Sequence, residues 1–271
     1  MRKFIFDPII LIILAIIAYA VFQYSQNVLD IESKQNLQEA IENYKEGERS
    51  DNAVKRKDAF NRSLELFTSL ESKYDPKYGN GKFYYDIGNN YFQLEEYPLA
   101  IFYYYKAAAL RPRDTTIFQN LSLTQKKLGI PSSEESTAFE NVFFFHNHLS
   151  IPERLNFFFL FGLGALLVAS CYIWLRQRWL YLLIYIFLIC CTVLLLSLAY
   201  SYYLSPIEGV MVKSSALYRD AGEQYAKVTE KPVPSGTKVK VLDGLPSGQW
   251  LKVLTHDGTL GYVPHSTIRV L

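Results

Sequence analysis

The residues that could do chemistry in this chain are few, and their placement does not favour catalysis. Ser247, His256 and Asp257 are the residue types of a nucleophilic triad, but they fall at predicted turns between short strands, where no core would bury and orient them. His146 and His148 would point to opposite sides of a helix, and no carboxylate or cysteine flanks them closely. We therefore predict no enzymatic activity, no metal site and no cofactor.

The composition requires that the apolar residues are clustered. The chain has 271 residues, of which 50% are hydrophobic and 20% are charged. The apolar residues gather in three runs, at 9–22, 155–175 and 179–204. The three cysteines lie within the last two runs, which excludes a disulfide framework elsewhere. A net charge of +2 without a basic stripe argues against nucleic acid as a partner.

The two later apolar runs predict a transmembrane hairpin over 155–204. Each exceeds the roughly 20 residues that cross a bilayer as a helix, and neither interior contains a charge. Ser150, followed by Pro152 and Glu153, predicts a capping box just before the first of these helices. The lipid bilayer is therefore an expected partner of the chain.

The turn of the hairpin predicts which way it points. Arg176 and Arg178 lie between the two helices, and short basic loops remain in the cytoplasm. The segments 24–150 and 205–271 should then share the opposite, periplasmic side of a bacterial inner membrane.

The N-terminal segment over 1–23 has two interpretations, and both stay open. Arg2 and Lys3 precede its apolar run, which fits either an uncleaved anchor or a signal peptide cleaved after Ala20. Both interpretations carry the following chain across the membrane.

Residues 81–114 match a 34-residue two-helix pattern. Small residues stand where the two helices would cross closely, large aromatic residues surround that crossing, and a proline follows the second helix. These positions are Tyr84, Ile87, Gly88, Tyr91, Ala100, Tyr104, Ala107 and Pro112. The segment resembles the tetratricopeptide repeat (TPR) family. A weaker helical pair before it and a capping helix over 115–128 extend the predicted domain to 31–130.

The resemblance implies that one face of the first helix of this repeat lines a concave groove. In this family such a groove usually holds a peptide or a partner helix. The residues at these positions are Lys82, Tyr85, Asn89, Phe92 and Gln93. An alternative stays open, in which Tyr85 and Phe92 pack on the preceding helix pair. A linker and interfacial segment is expected over 131–154.

From Gly209 the pattern changes to short alternating strands separated by turn residues, which indicates a small barrel. Its motifs are Ala216-Leu217-Tyr218, Ser235-Gly236-Thr237, the run 249–253 and Gly261-Tyr262-Val263-Pro264. The domain over 205–271 resembles the bacterial SH3 family. Candidate groove residues are Tyr218, Trp250, Tyr262 and Pro264. In a competing interpretation Trp250 is a strand-packing residue with an exposed edge.

The expected fold is thus a multidomain membrane protein with α-helical TPR repeats, a transmembrane helical hairpin and a small all-β SH3-like barrel. This order of parts resembles the BatE-like TPR/SH3 membrane proteins of the Bat (Bacteroides aerotolerance) operons. The resemblance implies von Willebrand factor A (VWA) domain proteins and a MoxR-type ATPase as partners, and a role in envelope assembly or stress tolerance. We expect a non-enzymatic scaffold that binds partner proteins. The alternative is a cell-wall sensor or anchor whose barrel binds peptidoglycan.

Overall fold

The computed structural model divides the chain into two compact units. The hairpin unit comprises Met1–Val28 and Phe143–Ser205, and the helix–sheet unit comprises Leu29–Val142 and Pro206–Leu271. The structure describes residues 13, 16–21, 31–74, 81–131, 146, 148–244 and 248–271. Most of the described residues are helical, and the rest include one small antiparallel sheet, as the sequence predicts. Of the N-terminal segment over 1–23, only residues 13 and 16–21 are described, and they are helical.

The first part of the helix–sheet unit is a series of helices, each packed on the next. They are α1 (Ile31–Arg49), α2 (Ala53–Tyr74), α3 (Lys82–Gln93), α4 (Tyr97–Leu110) and α5 (Thr115–Leu128). Local signals set several of their ends. The Asp114 carboxylate accepts a hydrogen bond from the Thr116 backbone at the start of α5, and Gly129 ends that helix with a φ of 66°.

The hairpin unit contains two helices that are long and apolar enough to cross a membrane, α6 (Ile151–Leu175) and α7 (Arg178–Tyr203). The predicted capping box is confirmed, with Ser150 and Glu153 bonded reciprocally. The box starts the helix at Ile151, so residues 151–154 of the predicted linker and interfacial segment form the first turn of α6.

The second part of the helix–sheet unit is a five-stranded antiparallel sheet with the order β4-β3-β2-β1-β5. The strands are β1 (Ile207–Met211), β2 (Lys238–Gly244), β3 (Trp250–Leu254), β4 (Leu260–Pro264) and β5 (Ile268–Val270). Strand β2 extends through Asp243 and Gly244, which pair with β3. At the motif over 216–218, Ser215 and Tyr218 form isolated bridges rather than a named strand.

One face of the sheet forms its own apolar core. Val239 and Val241 of β2 are buried, as are Leu251 and Val253 of β3, so burial alternates with the strand period of two. Val241 pairs directly with Val253. The alternation leaves the opposite face of β3 and β4 only half-buried.

The sheet also packs against the helices of the same unit. Val210 of β1 is fully buried in the apolar cluster that contains the cores of α2 to α5. At the turn before β2, a Cβ atom on Gly236 would lie 2.7 Å from the side-chain tips of Leu128 and Ile130 and 3.0 Å from that of Ile101. Segments that the sequence divides into two domains therefore share one apolar core.

Polar contacts also join the sheet to the helices. The Lys238 ammonium of β2 lies 4.8 Å from the Tyr105 ring centroid on α4 and 2.6 Å from the Glu208 carboxylate on β1. Gln125 of α5 donates a hydrogen bond to the Tyr105 hydroxyl at 3.1 Å. Tyr105 thus belongs to the contact between helices and sheet.

Candidate partner-binding surfaces

The predicted close crossing of α3 and α4 is visible in the packing. Gly88 is buried, and a Cβ atom there would lie 2.7 Å from the Tyr104 ring. Ala100 and Ala107 of α4 are fully buried, which lets the two helices approach. Tyr84 and Ile87 are buried as well, Tyr91 stacks on Tyr103, and Pro112 follows the end of α4.

A polar network joins α2 to α4 beside this crossing. The Tyr103 hydroxyl donates to Glu71 Oε2 at 2.6 Å, and the Lys106 ammonium donates to Glu71 Oε1 at 2.6 Å. Lys106 also lies 4.1 Å above the Tyr84 ring centroid. Burial, and then the bonded Glu71 carboxylate, raises the pKa of Tyr103. These side chains tie the helices together.

Two of the predicted groove residues are held by α5. The Asn120 amide donates to the Tyr85 hydroxyl at 2.9 Å and to Asn89 Oδ1 at 3.1 Å. Asn89 Oδ1 also accepts from the Tyr104 hydroxyl at 2.9 Å. Tyr85 and Asn89 are half-buried, so their polar atoms already serve the packing of α3, α4 and α5.

The other three predicted groove residues differ in exposure. Phe92 is half-buried and meets Tyr97 of α4 edge-to-face at 5.6 Å. Lys82 and Gln93 are exposed. Tyr85 and Phe92 therefore contact the following helices, within the apolar cluster that also contains residues of the preceding pair. The exposed residues of this face, Lys82 and Gln93, lie at its two ends.

Each exposed end borders a shallow depression. The first, of about 120 Å³, is lined by Ile41, Tyr44, Phe67, Lys82 and Asp86. The second, of about 270 Å³, is lined by Ala53, Arg56, Lys57, Phe60, Gln93, Leu94 and Glu95. Both lie where α3 meets the preceding helices, and of the five predicted groove residues Lys82 lines the first and Gln93 the second.

Asp86 is a residue of this surface that the sequence reasoning missed. Burial raises its pKa to about 6, although the nearby Lys82 and Arg111 cations lower it in part. Tyr44, in the same depression, has its pKa raised to about 12, again chiefly by burial. The lysine one helical turn before Asp86 was the available signal.

The four candidate residues on the sheet come together on one face. Tyr218 and Tyr262 exchange two backbone hydrogen bonds, at 3.0 and 2.8 Å. The Tyr218 and Trp250 rings meet perpendicularly with centroids 5.6 Å apart, and Trp250 pairs with Pro264 across β3 and β4. Lys252, which the sequence reasoning did not single out, lies 5.9 Å from the Tyr262 ring centroid.

The residues considered for catalysis are not brought together. Ser247 lies outside the described residues. Asp257 accepts a hydrogen bond from the Thr255 hydroxyl within its own hairpin, and that bond lowers the pKa of Asp257. Within the described ranges, no group of three His, Cys, Asp or Glu side chains is placed to hold a metal ion.

At the hairpin turn, Arg176 and Arg178 are both exposed, as are the flanking Trp174 and Trp179. Arg176 ends α6 with a φ of 47°. The turn is therefore as short as predicted, and its two cations are free of the helix packing.

At the other end of the hairpin lies a second polar site that the sequence reasoning missed. Arg154 is only 4% exposed. Its Nη1 atom donates toward Ser197 Oγ at 2.8 Å and Ser201 Oγ at 2.9 Å, both on α7, and lies 3.0 Å from His146 Nδ1. Burial, and then the Arg154 charge, lowers the pKa of His146. A neutral ring can accept this bond through Nδ1.

Comparison of the whole chain with known proteins adds no relative to this picture. No protein-family model matches the chain, and no curated protein matches it. The contacts described above are therefore what supports a function.

Proposed function

We propose that this protein is a non-enzymatic, membrane-anchored scaffold that binds partner proteins at the periplasmic face of a bacterial inner membrane. In this proposal helices α1 to α5 are TPR-type repeats with a cap, and the sheet is a bacterial SH3-like barrel. The hairpin of α6 and α7 anchors both to the bilayer.

The observation that carries the proposal is the packed contact between the sheet and the helices. Val210 is buried among helical core residues, although the two segments stand on opposite sides of the hairpin in the sequence. Segments that touch must occupy the same compartment, and a pair of membrane crossings returns the chain to the side it left. The exposed arginine turn then favours the periplasm for both.

This sidedness can be tested with reporters fused to Leu271 of the full chain. Alkaline phosphatase, which is active only outside the cytoplasm, should be active there. A fluorescent protein that matures only in the cytosol should stay dark. The reverse pattern would overturn the proposed topology.

Partner binding is proposed at the junction of α3 with the preceding helices. The two depressions there are lined by apolar and charged side chains, and the exposed Lys82 and Gln93 stand at their edges. The pairing of apolar floor and charged edge suits a peptide segment or a helix of a partner protein. By the resemblance to BatE-like proteins, the partners would be VWA-domain membrane proteins and a MoxR-type ATPase, in an aerotolerance or envelope assembly complex.

Site-specific photo-crosslinking in native membranes tests the groove. A crosslinking amino acid at position 82 or 93 should give a discrete adduct with a partner protein. The same probe in place of Lys126, an exposed residue of α5, is the matched control and should give none. The groove hypothesis fails if the three positions behave alike.

A second function is favoured by the aromatic face of the sheet. Tyr218, Trp250, Tyr262 and Pro264 form one half-exposed surface with Lys252 beside it. Aromatic faces with a cation suit glycan chains that carry carboxylates, as peptidoglycan does. If the protein is a cell-wall anchor, the detergent-solubilised full chain should co-sediment with cell-wall sacculi, and Trp250→Ala should reduce this several-fold. No sedimentation of the wild type would leave the scaffold as the better function.

A further inference from the structure

The end of the hairpin opposite the arginine turn is rich in exposed aromatic residues. Tyr200, Tyr202 and Tyr203 at the end of α7 are 45%, 82% and 78% exposed. Tyrosines concentrate at the headgroup level of a bilayer, where their rings contact lipid and their hydroxyls contact water. Arg154 contacts Ser201 next to these tyrosines, so in the proposed membrane location it would lie close to the level of the lipid phosphates.

Arg154 does not extend toward water at this level, as interfacial arginines commonly do. Instead it turns into the seam between the helices and is 4% exposed. Its Nη1 atom has four acceptors within 3.2 Å: the side-chain and backbone oxygens of Ser197, the hydroxyl of Ser201 and His146 Nδ1. Nη1 carries only two hydrogens, so this corner of the guanidinium is fully engaged.

The opposite edge of the same guanidinium is not engaged. Nε is buried and has no hydrogen-bond partner, and among the described residues neither Nη2 bonding nor a carboxylate salt bridge is seen for Arg154. Nε and Nη2 form the side of the fork that binds a carboxylate or phosphate through two parallel hydrogen bonds. A cation buried without a counter-charge is costly, and in a membrane helix it marks a functional site.

The nearest carboxylate in sequence does not fill this role. Glu153 Oε2 accepts hydrogen bonds from the backbone N–H and the hydroxyl of Ser150 at 2.9 and 3.1 Å, as part of the capping box. Its charge is thus directed at the start of α6. The counter-charge for Arg154 must come from another group.

We propose that the Nε–Nη2 edge of Arg154 binds a phosphate group, supplied by a phospholipid of the surrounding bilayer. This inference rests on the membrane location in the proposed function. The required chemistry is the pair of non-bridging oxygens of a phosphodiester, which share one negative charge, at the headgroup depth that the flanking tyrosines indicate for this end of the hairpin. Because Nε is buried, bound lipid should exchange slowly.

Native mass spectrometry of the purified full chain tests the site. Wild-type protein taken through detergent delipidation and then mixed with phosphatidylglycerol should retain about one tightly held lipid. Arg154→Gln, which keeps some hydrogen bonding but loses the charge, should lower the retained fraction at least tenfold. Arg154→Lys should fall between them, because an ammonium contacts one phosphate oxygen without the fork. Arg176→Gln, at the exposed turn, should behave as wild type.

The outcomes separate lipid from other sources of the same chemistry. If millimolar inorganic phosphate displaces the lipid completely, the site takes free phosphate and the lipid source is wrong. If Arg154→Gln retains lipid as well as wild type does, Arg154 is a structural clamp and the proposal fails.

A parallel measurement keeps this proposal distinct from the scaffold. The crosslinks from position 82 should persist in Arg154→Gln, because the groove lies in the helix–sheet unit. Loss of lipid with retained crosslinks supports the phosphate site by itself. If the protein with wild-type Arg154 retains lipid but the probe at position 82 gives no adduct, the groove hypothesis fails and the phosphate site is still supported.

Discussion

Each unit of this protein holds a cation that is largely shielded from water, and the two cations have different partners. In the helix–sheet unit, Lys106 contacts the Glu71 carboxylate at 2.6 Å, and Tyr103 donates to the second oxygen of the same group. In the hairpin unit, Arg154 is bonded to serines and a histidine, with no carboxylate partner in the described part of the chain. A cation with its own carboxylate holds helices together. A guanidinium whose hydrogen bonds lie at one corner can also bind an anion that is not part of the chain through its other edge.

The two units also differ in which residue types they bury and which they expose. The helix–sheet unit buries its large apolar residues, including Phe60, Phe67 and Tyr104. In the hairpin, large apolar residues such as Leu196 and Trp174 are exposed at 65% and 77%, whereas Arg154 is buried. In water the apolar residues gain by burial. In a bilayer they would gain nothing by leaving lipid, and close packing together with interhelical hydrogen bonds would hold the helices together.

Removing the counter-charge of Lys106 should lower the free energy of unfolding the most. Glu71→Gln leaves Lys106 without its counter-charge and removes an acceptor from Tyr103, and the Glu71 and Lys106 side chains are only 16% and 21% exposed. We expect a loss of about 3 kcal/mol in the free energy of unfolding. Urea unfolding followed by Trp250 fluorescence, with Trp174→Phe and Trp179→Phe in the background, measures it.

Glu46→Gln is the control for that prediction. Glu46 pairs with Arg62 at 3.3 Å, but both side chains are more than half exposed, so its loss should change the unfolding free energy by about 0.5 kcal/mol or less. If the two variants lost the same free energy of unfolding, the Glu71–Lys106 pair would contribute no more to stability than an exposed ion pair.

Breaking the shared core should have the next largest effect. Gly236→Val would push a branched side chain against Ile101, Leu128 and Ile130, in a backbone conformation with a φ of 87°. Gly258→Val meets the same backbone strain, with a φ of 79°, but no atoms within 4 Å. Gly236→Val should therefore cost about 2 kcal/mol more than Gly258→Val, by overpacking alone. The same fluorescence assay measures the difference, and equal costs would mean that sheet and helices are not stably packed.

Removing the charge of Asp86 should change stability less than Glu71→Gln or Gly236→Val. The pKa of Asp86 is raised by burial to about 6 from 3.8, so the folded protein holds this proton more tightly than the unfolded chain. Stability should then fall as the pH rises from about 4 to about 6. Asp86→Asn should be more stable than wild type at pH 7.5, by on the order of 1 kcal/mol, and equal to it near pH 4. An advantage that does not depend on pH would contradict the role of burial.

The parts that the sequence predicted well depend on local information. The two apolar helices follow from uninterrupted hydropathy, and the start of α6 follows from Ser150 and Glu153, three residues apart. The spacing of Gly88 and Ala100 places small residues where α3 and α4 lie close together. In each case the deciding residues stand within one helix or one helix pair.

The parts that were missed depend on residues far apart in the chain. The hydrogen bonds from Asn120 to Tyr85 and Asn89 could not be predicted from the spacing of residues within α3, because they form only when α5 packs beside it. Strand β5 is three residues long, and it forms because β1 offers a free edge. Such short segments carry too little pattern of their own to predict a strand.

The order of amino acids alone identifies the two helices that are apolar enough to cross a membrane, the capping box at the start of α6, and the residue types at the close crossing of α3 and α4. Three features require the folded chain: the sheet shares a core with the helices, α5 holds two of the predicted groove residues, and Arg154 turns into the hairpin seam. Hydropathy and capping act between neighbours in sequence. Burial and hydrogen-bond pairing depend on which distant side chains meet, and the folded chain alone settles that.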